Sequence, residues 1–178
     1  SKDKRIRYFK FDERKTLGFK RNFLAEQAKG QILIHFDDDD YYPPNRISSA
    51  VLMLSKSERL IAGSSMMYMY NALTNKINTS GPFGPNHATA GTFAYKREYL
   101  EKCSFDNEKI AQEEPGFTNG FAETMIQLDT KSTILVIQHK FNTWDKSNTT
   151  QSPSNLSLKD FMRDPNDIRF YKKLGTAS

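Results

Sequence analysis

Four consecutive aspartates, Asp37, Asp38, Asp39 and Asp40, are the residues of this sequence most clearly equipped for chemistry. Adjacent carboxylates repel one another, and left alone they raise their own pKa values or destabilise the loop that carries them. A divalent cation removes the conflict, and hard oxygen ligands suit Mg2+ or Mn2+. The plain alternative is an acidic, solvated loop. Placement weighs against it, because the run follows a short apolar segment, 31–36, and precedes Tyr41-Tyr42-Pro43-Pro44. An EF-hand loop does not fit. With Asp37, Asp39 and Tyr41 in its first, third and fifth positions, Tyr42 stands where the loop needs Gly and Ser48 where it needs Glu.

Other residues have chemical potential at longer spacing. Arg21 stands on the segment before the aspartates, His87 in the Gly/Pro-rich stretch 81–88, and Gly91-Thr92 just after it. Glu113-Glu114 precede Pro115-Gly116, and His139 follows the β-branched run 133–138. A loop histidine or a loop carboxylate pair is most simply solvated surface. Imidazole at a strand end is also a suitable metal or phosphate ligand. Trp144 is equally suited to stacking on a ring and to ordinary packing.

The elements that must position these residues follow from periodicity. Residues 5–11 alternate polar and apolar side chains and predict a half-buried strand. Thr16 is placed to cap a helix with Leu17, Phe23, Leu24 and Ala28 near one face, and Gly30 stops it. Residues 31–36 read as a buried parallel strand. Pro43-Pro44 force a turn, and Asn45 is placed to cap a helix with Ile47, Ala50, Val51 and Leu54 at i, i+3, i+4 and i+7. Residues 59–70 read as one long or bent strand, 71–84 as a hairpin region, 89–95 as a strand and 96–102 as a short helix. Residues 113–116 read as a loop, 119–128 as a helix and 133–138 as a strand. The Ser/Asn/Thr/Gln/Pro-rich stretch 146–157 reads as an exposed linker, and 158–174 as partly helical. The expected organisation is a core over 1–145, with 146–178 a polar linker and helical tail packed on it. Strands alternating with helices predict an α/β fold. Ligands of such sheets lie beyond the carboxyl ends of strands, where the aspartates stand.

Composition narrows the functional classes. Hydrophobic residues at 37% and aromatics at 12% exclude a disordered chain. No stretch approaches the roughly 18 apolar residues of a membrane span, and the N-terminus carries no secretory signal pattern. A cytoplasmic setting is therefore expected, and the sequons at Asn78, Asn148 and Asn155 read as accidental. The single cysteine, Cys103, excludes an internal disulfide framework and a Cys-based zinc site, and reads as a small buried hydrophobe. The net charge is +5 and the pI about 9.2. Residues 1–29 hold ten Lys/Arg against four acids, so this stretch alone carries +6 and the remainder sums to −1. Such a stretch is either a solvated basic face or a surface for an anionic partner, nucleic acid or a nucleotide diphosphate.

Lys20-Arg21-Asn22, Ala28-Lys29-Gly30, the apolar segment 32–36, the four aspartates, Tyr41-Tyr42, Pro44 and Arg46, in that order, resemble the core of family-2-type glycosyltransferases of the GT-A fold. The likeness is close over 16–54 and continues loosely to His139. More loosely, the chain is similar to glycosyltransferase domains of large algal viruses, for which the setting would be the host cytoplasm. The resemblance implies a Rossmann-like α/β domain with a mixed, mostly parallel sheet flanked by helices. It implies a sugar donor with a nucleotide diphosphate, a UDP-sugar, a glycan or other hydroxyl acceptor, Mn2+ or Mg2+, and no nucleic-acid substrate.

On that resemblance, Asp37 and Asp39 take the two positions of a DxD motif. Asp39 is the metal ligand, Asp37 or Asp38 holds the ribose or shares the metal, and Asp40 faces the sugar. Arg21 meets the diphosphate or braces the aspartates. Gly91 and Thr92 admit close approach of the donor sugar, with His87 as a sugar contact. Glu114 or Glu113 is the general base of an inverting reaction, or positions the acceptor in a retaining one, and His139 adds a metal or diphosphate ligand. The base-binding strand that opens such domains has no counterpart here, and 5–11 resemble a later strand. An upstream segment of the same domain, and further domains of a longer protein, are therefore expected. Two other readings stand beside this one. One is a metal-dependent nuclease or nucleotidyltransferase, although the Gly-rich phosphate loop of the latter is not visible. The other is a non-catalytic Ca2+-binding module.

Overall fold

The computed structural model describes residues 3–139, 142 and 150–175; Trp144, Asn148 and the first part of the polar stretch 146–157 lie outside them. Helix α1 spans Leu17–Gln27, and Thr16 caps it by accepting from the Phe19 N–H. It buries Gly18 and Ala25 rather than an apolar stripe, and leaves Leu24 55% exposed. The reason is close approach: a Cβ on Gly18 would stand 1.9 Å from the Asp106 carbonyl oxygen. Residues 5–11 form no strand. Their alternation is satisfied by packing instead, with Phe9 and Phe11 edge-on to Phe19 and Phe23 of α1 at 5.0 to 5.6 Å between ring centres.

The first sheet runs β1 (Ile32–Ile34), β5 (Ala94–Lys96), β2 (Ile61–Gly63), β6 (Ile126–Gln127). The second runs β7 (Leu135–Gln138), β3 (Met67–Asn71), β4 (Lys76–Ser80), β8 (Ser152–Pro153). Both are mixed. Among the described residues only β2–β6 and β3–β7 pair in parallel, and the other four pairings are antiparallel, which corrects the mostly parallel sheet. Strand β1 is an edge strand antiparallel to β5, not the buried parallel strand its apolar run predicts. It is apolar on both faces because helices cover both. Leu33 packs with Ala25 of α1, and Ile32 and Ile34 pack with Ala50 and Leu54 of α2 (Arg46–Ser55).

Other segments also depart from expectation. The single strand over 59–70 is two strands in different sheets. Between them the Ser64 and Ser65 N–H groups donate to Thr92 Oγ1 and Gln127 Oε1, which withdraws them from a ladder. The strand over 89–95 opens as a tight turn, Ala90–Thr92, before β5, whereas the short helix expected over 96–102 does form, as the 3-10 helix Arg97–Glu101. Residues 113–116 contribute to one helical turn, α3 (Glu114–Phe117). The helix over 119–128 does not form, because Asn119, Gly120 and Phe121 have φ of 49°, 66° and 63°, which a right-handed helix cannot accommodate. Helix α2 buries Arg46, Ala50 and Leu54 while Ile47 stays 56% exposed, and the Asn45 side chain donates to Ser132 Oγ instead of capping. A hairpin does form, β3–β4 over 67–80, but its first strand begins ahead of the expected region 71–84 and is taken from the strand expected over 59–70.

Leu158, Phe161 and Met162 cover the second sheet at Tyr70, Ile77, Leu135 and Ile137, with Ile168 and Tyr171 of α4 (Pro165–Lys173) beside them. Rings fill the core of the first sheet, where Phe105 and Phe117 stack at 4.0 Å. The aspartate segment joins the two sheets. His35 N–H donates to Phe93 O (2.9 Å) at its start, and Tyr41 exchanges two backbone hydrogen bonds with Leu135 (3.1 and 2.9 Å) at its end.

Candidate active site

The four aspartates point to different partners. Asp37 Oδ1 accepts from Arg21 Nη2 (3.1 Å). Asp38 is exposed. Asp39 Oδ2 accepts from the Asn142 side-chain amide (2.8 Å). Asp40 Oδ1 accepts from the Ile137 N–H (2.8 Å), near the carboxyl end of β7. Like charge is thus relieved by spreading the carboxylates across two sheets. Asp40 ties down the strand that delivers His139.

Arg21 is the hub of the first half. Its Nε donates to Glu113 Oε1 (2.7 Å), and its Nη1 lies 3.1 Å from His35 Nδ1. Burial alone would lower its pKa, but the charges of Asp37 and Glu113 outweigh this and hold the guanidinium above its ordinary value. The same burial, with Arg21 alongside, depresses His35 to about 3, so this imidazole is neutral. It is held by Ala90 O (2.9 Å) and Tyr95 Oη (3.2 Å).

The turn Ala90–Thr92 meets this hub from the other side. A Cβ on Gly91 would stand 2.6 Å from Asp37 Oδ2, so only Gly lets the turn lie on that carboxylate. Tyr42 Oη accepts from the Asp37 N–H (2.8 Å) and donates to Gly91 O (3.2 Å), locking loop to turn. Beneath, buried Arg46 donates through Nη2 to Thr92 O and Phe93 O (2.7 and 3.0 Å). Its Nε and Nη1 have no partner among the described residues, and burial lowers its pKa to about 10.

The two glutamates part company. Glu113 is 3% exposed and committed to Arg21. Glu114 uses Oε1 to accept from the Ala90 N–H (3.1 Å). Burial, then the neighbouring charge of Glu113, raises its pKa above the usual carboxylate range.

His139 reaches the aspartates through Asn142. The Asn142 amide nitrogen lies 2.8 Å from Asp39 Oδ2 and 3.2 Å from His139 Nε2, while Asn142 Oδ1 accepts from the His139 N–H. Among the described residues no three His, Cys, Asp or Glu side chains gather closely enough to hold a metal ion by themselves. The expected trio of Asp37, Asp39 and His139 is therefore not one cluster: Asp37 faces Arg21, and Asp39 and His139 face Asn142. His87 stands apart from both, between the rings of Phe83 and Phe121.

Sequence reasoning missed the parts played by His35, Tyr42 and Asn142. Asn142 had one visible signal, its spacing of three residues after His139 beyond a strand end. No helix of the described residues is long and apolar enough to cross a membrane. No curated protein matches the chain at a significant level. The model of the family described as glycosyl transferase family 2 matches residues 1–110, from the basic N-terminal stretch through the aspartates and the Gly91 turn. That match covers more than half of the chain, which therefore belongs to glycosyl transferase family 2 and is a glycosyltransferase domain acting between a nucleotide-sugar donor and an acceptor.

Proposed function

We propose that the domain moves a sugar from a UDP-sugar to a hydroxyl of a glycan acceptor, with Mn2+ or Mg2+, and inverts the anomeric centre. One observation carries this reading. At the Ala90–Thr92 turn, two carboxylates from distant segments converge, Asp37 behind Gly91 and Glu114 on the Ala90 N–H.

The donor set at Asp39 and His139 fits a divalent ion. A carboxylate oxygen and an imidazole nitrogen already converge on one electropositive group, the Asn142 amide. Two protein ligands, with the rest from diphosphate and water, is the habit of such ions at phosphate sites. When bound, the ion supplies Lewis-acid stabilisation of the leaving diphosphate. Asp39 and His139 hold it. Asp38, exposed beside them, faces the ribose. Arg21 acts as the brace of Asp37 and Glu113 rather than as a diphosphate ligand, because two carboxylates already engage it. Gly91 lets the turn lie close beside the donor sugar, while Thr92, fully buried with its carbonyl on Arg46 and its N–H on Thr89 O, supports the turn from behind rather than meeting the sugar.

Glu114 is the general base. Its pKa, raised above the usual carboxylate range by burial and by the charge of Glu113, makes it a stronger base than an ordinary carboxylate. It takes the acceptor hydroxyl proton as the acceptor oxygen bonds to the anomeric carbon and the bond to the diphosphate breaks. Glu113, ion-paired and buried, holds Arg21 in place.

The test is sugar transfer from a panel of UDP-sugars with Mn2+, Mg2+ or EDTA, in wild type and Glu114→Gln. The expected result is metal-dependent transfer with inverted product, and a kcat about 10²–10⁴-fold lower in Glu114→Gln at unchanged UDP affinity. Full activity in EDTA would remove the metal. Full activity in Glu114→Gln would remove the base.

A further inference from the structure

Three rings from two loops form a short cluster, Phe83 tilted 50° to His87 and His87 stacked on Phe121, near the turn whose Ala90 N–H Glu114 holds. Phe83 and His87 are 4.9 Å apart, and His87 stacks on Phe121 at 4.5 Å with an interplanar angle of 29°. Phe83 is 48% exposed. The stack is held firmly. Gln127 donates its amide to both Pro85 O and His87 O (2.8 and 3.0 Å). Gly81 (φ +86°) lies so close to Ser65 that a Cβ would stand 2.2 Å from its carbonyl oxygen. Phe121 is held in the left-handed region at φ 63°, an unfavourable place for a bulky residue, with its N–H on Thr118 Oγ1 (3.2 Å). Thr118 Oγ1 in turn donates to Glu114 O (2.7 Å).

Order along the loop gives the stack its meaning. Gly91 lies on Asp37, the Ala90 N–H lies on Glu114, and His87, three residues earlier, lies on Phe121. Three residues span at most about 10 Å. Along the loop, the Glu114 contact therefore falls between the Asp37 contact and the ring contact. A base between two subsites takes its proton from whatever occupies the one away from the donor. His87 Nδ1 is buried without a hydrogen-bond partner among the described residues, so the imidazole serves as a ring face here.

We infer that Phe83, His87 and Phe121 form the acceptor subsite, and that its occupant is a pyranose sugar whose C–H face lies on the exposed Phe83 ring. A hydroxyl on the sugar edge then reaches the Glu114 carboxylate. A flat sugar carries apolar C–H groups on its face and hydroxyls on its rim, and an aromatic face flanked by a carboxylate complements both. The inference rests on the reading of Glu114 as base, and it moves His87 from the donor sugar to the acceptor.

Saturation-transfer NMR on the full chain tests it. The probes are the methyl glycosides of glucose, galactose, mannose and N-acetylglucosamine, each in the presence of Mg2+ and UDP. At least one glycoside should give ring-proton signals in wild type. These should fall about fivefold in Phe83→Ala and in Phe121→Gly, the loss expected for one aromatic contact, while the uridine signals persist. Phe83 is surface-exposed and Gly relieves the backbone at position 121, so both variants keep the fold. Sugar signals that survive both substitutions, or that are absent in wild type with all four glycosides, overturn the inference. So does a parallel loss of uridine and sugar signals, which would place the rings in the donor site. Wild-type sugar signals dependent on Phe83 without any uridine signal would instead sink the UDP reading and leave the sugar site standing.

Discussion

Glu113 and Glu114 are neighbours in the chain with opposite electrostatic situations. Glu113 is neutralised by Arg21, whereas Glu114 carries the combined burden of burial and Glu113's charge. The sign of its pH dependence follows. A carboxylate whose folded pKa lies above its unfolded value stabilises the fold below the ordinary carboxylate range, and that contribution is lost as pH rises through the raised pKa. Glu114→Gln should therefore melt no lower than wild type at neutral pH, and higher if relief of the charge dominates, even as transfer collapses. The acid limb of the rate profile should sit above the ordinary carboxylate range, because only the ionised form accepts a proton; a limb at the ordinary position would contradict the assignment. His35 works in the other direction. Its pKa is depressed to about 3 from an ordinary 6.5, so its contribution to stability is present above 6.5 and is lost as pH falls from there toward 3. Melting temperature should decline across that window in wild type, and His35→Gln should show a shallower decline.

The turn Ala90–Thr92 and the aspartate segment are two irregular elements held by side chains rather than by a ladder. Tyr42 joins them through one hydroxyl, and Arg46 supports the turn from beneath. Gly91 is where they touch. In Gly91→Ala the new Cβ meets the end of the Asp37 side chain, which must swing away from Arg21 while the backbone remains. The expected outcome is a preserved fold with Mg2+-UDP affinity about tenfold weaker, roughly 1.4 kcal/mol; isothermal calorimetry beside a melting curve separates the two. An unchanged affinity would mean that Asp37 and the turn do not act on the donor. The left-handed run 119–121 is the third such element. It stands where periodicity predicts a helix, and it carries the Phe121 ring that stacks on His87.

At the scale of the whole molecule, the second sheet depends on the C-terminal stretch. Leu158 and Met162 are 4% and 1% exposed against Tyr70, Ile77, Leu135 and Ile137. Truncating either to Ala should cost about 2–5 kcal/mol. Because β7 delivers His139, the loss should also weaken Mn2+ binding in the surviving folded fraction; denaturant melts with metal titration measure both, and a change below 1 kcal/mol (about one buried methylene) would show that this stretch does not seal the sheet. The features legible from the chain alone are local. The Asp run after an apolar segment, the Thr16 cap, the turn between β3 and β4 and the family signature in residues 16–54 are all written in consecutive residues, where turn chemistry and periodicity act. Strand direction was not legible, because a short strand covered by helices on both faces is apolar throughout whether its neighbour runs parallel or antiparallel. The division of labour within the site was not legible either. Four identical aspartates acquire different partners only when Arg21, Ile137 and Asn142 arrive from other elements, and Glu113 differs from Glu114 through Arg21, 92 residues away, and the Ala90 N–H. Those pairings depend on distances across sheets and on burial, and these exist only in the folded chain.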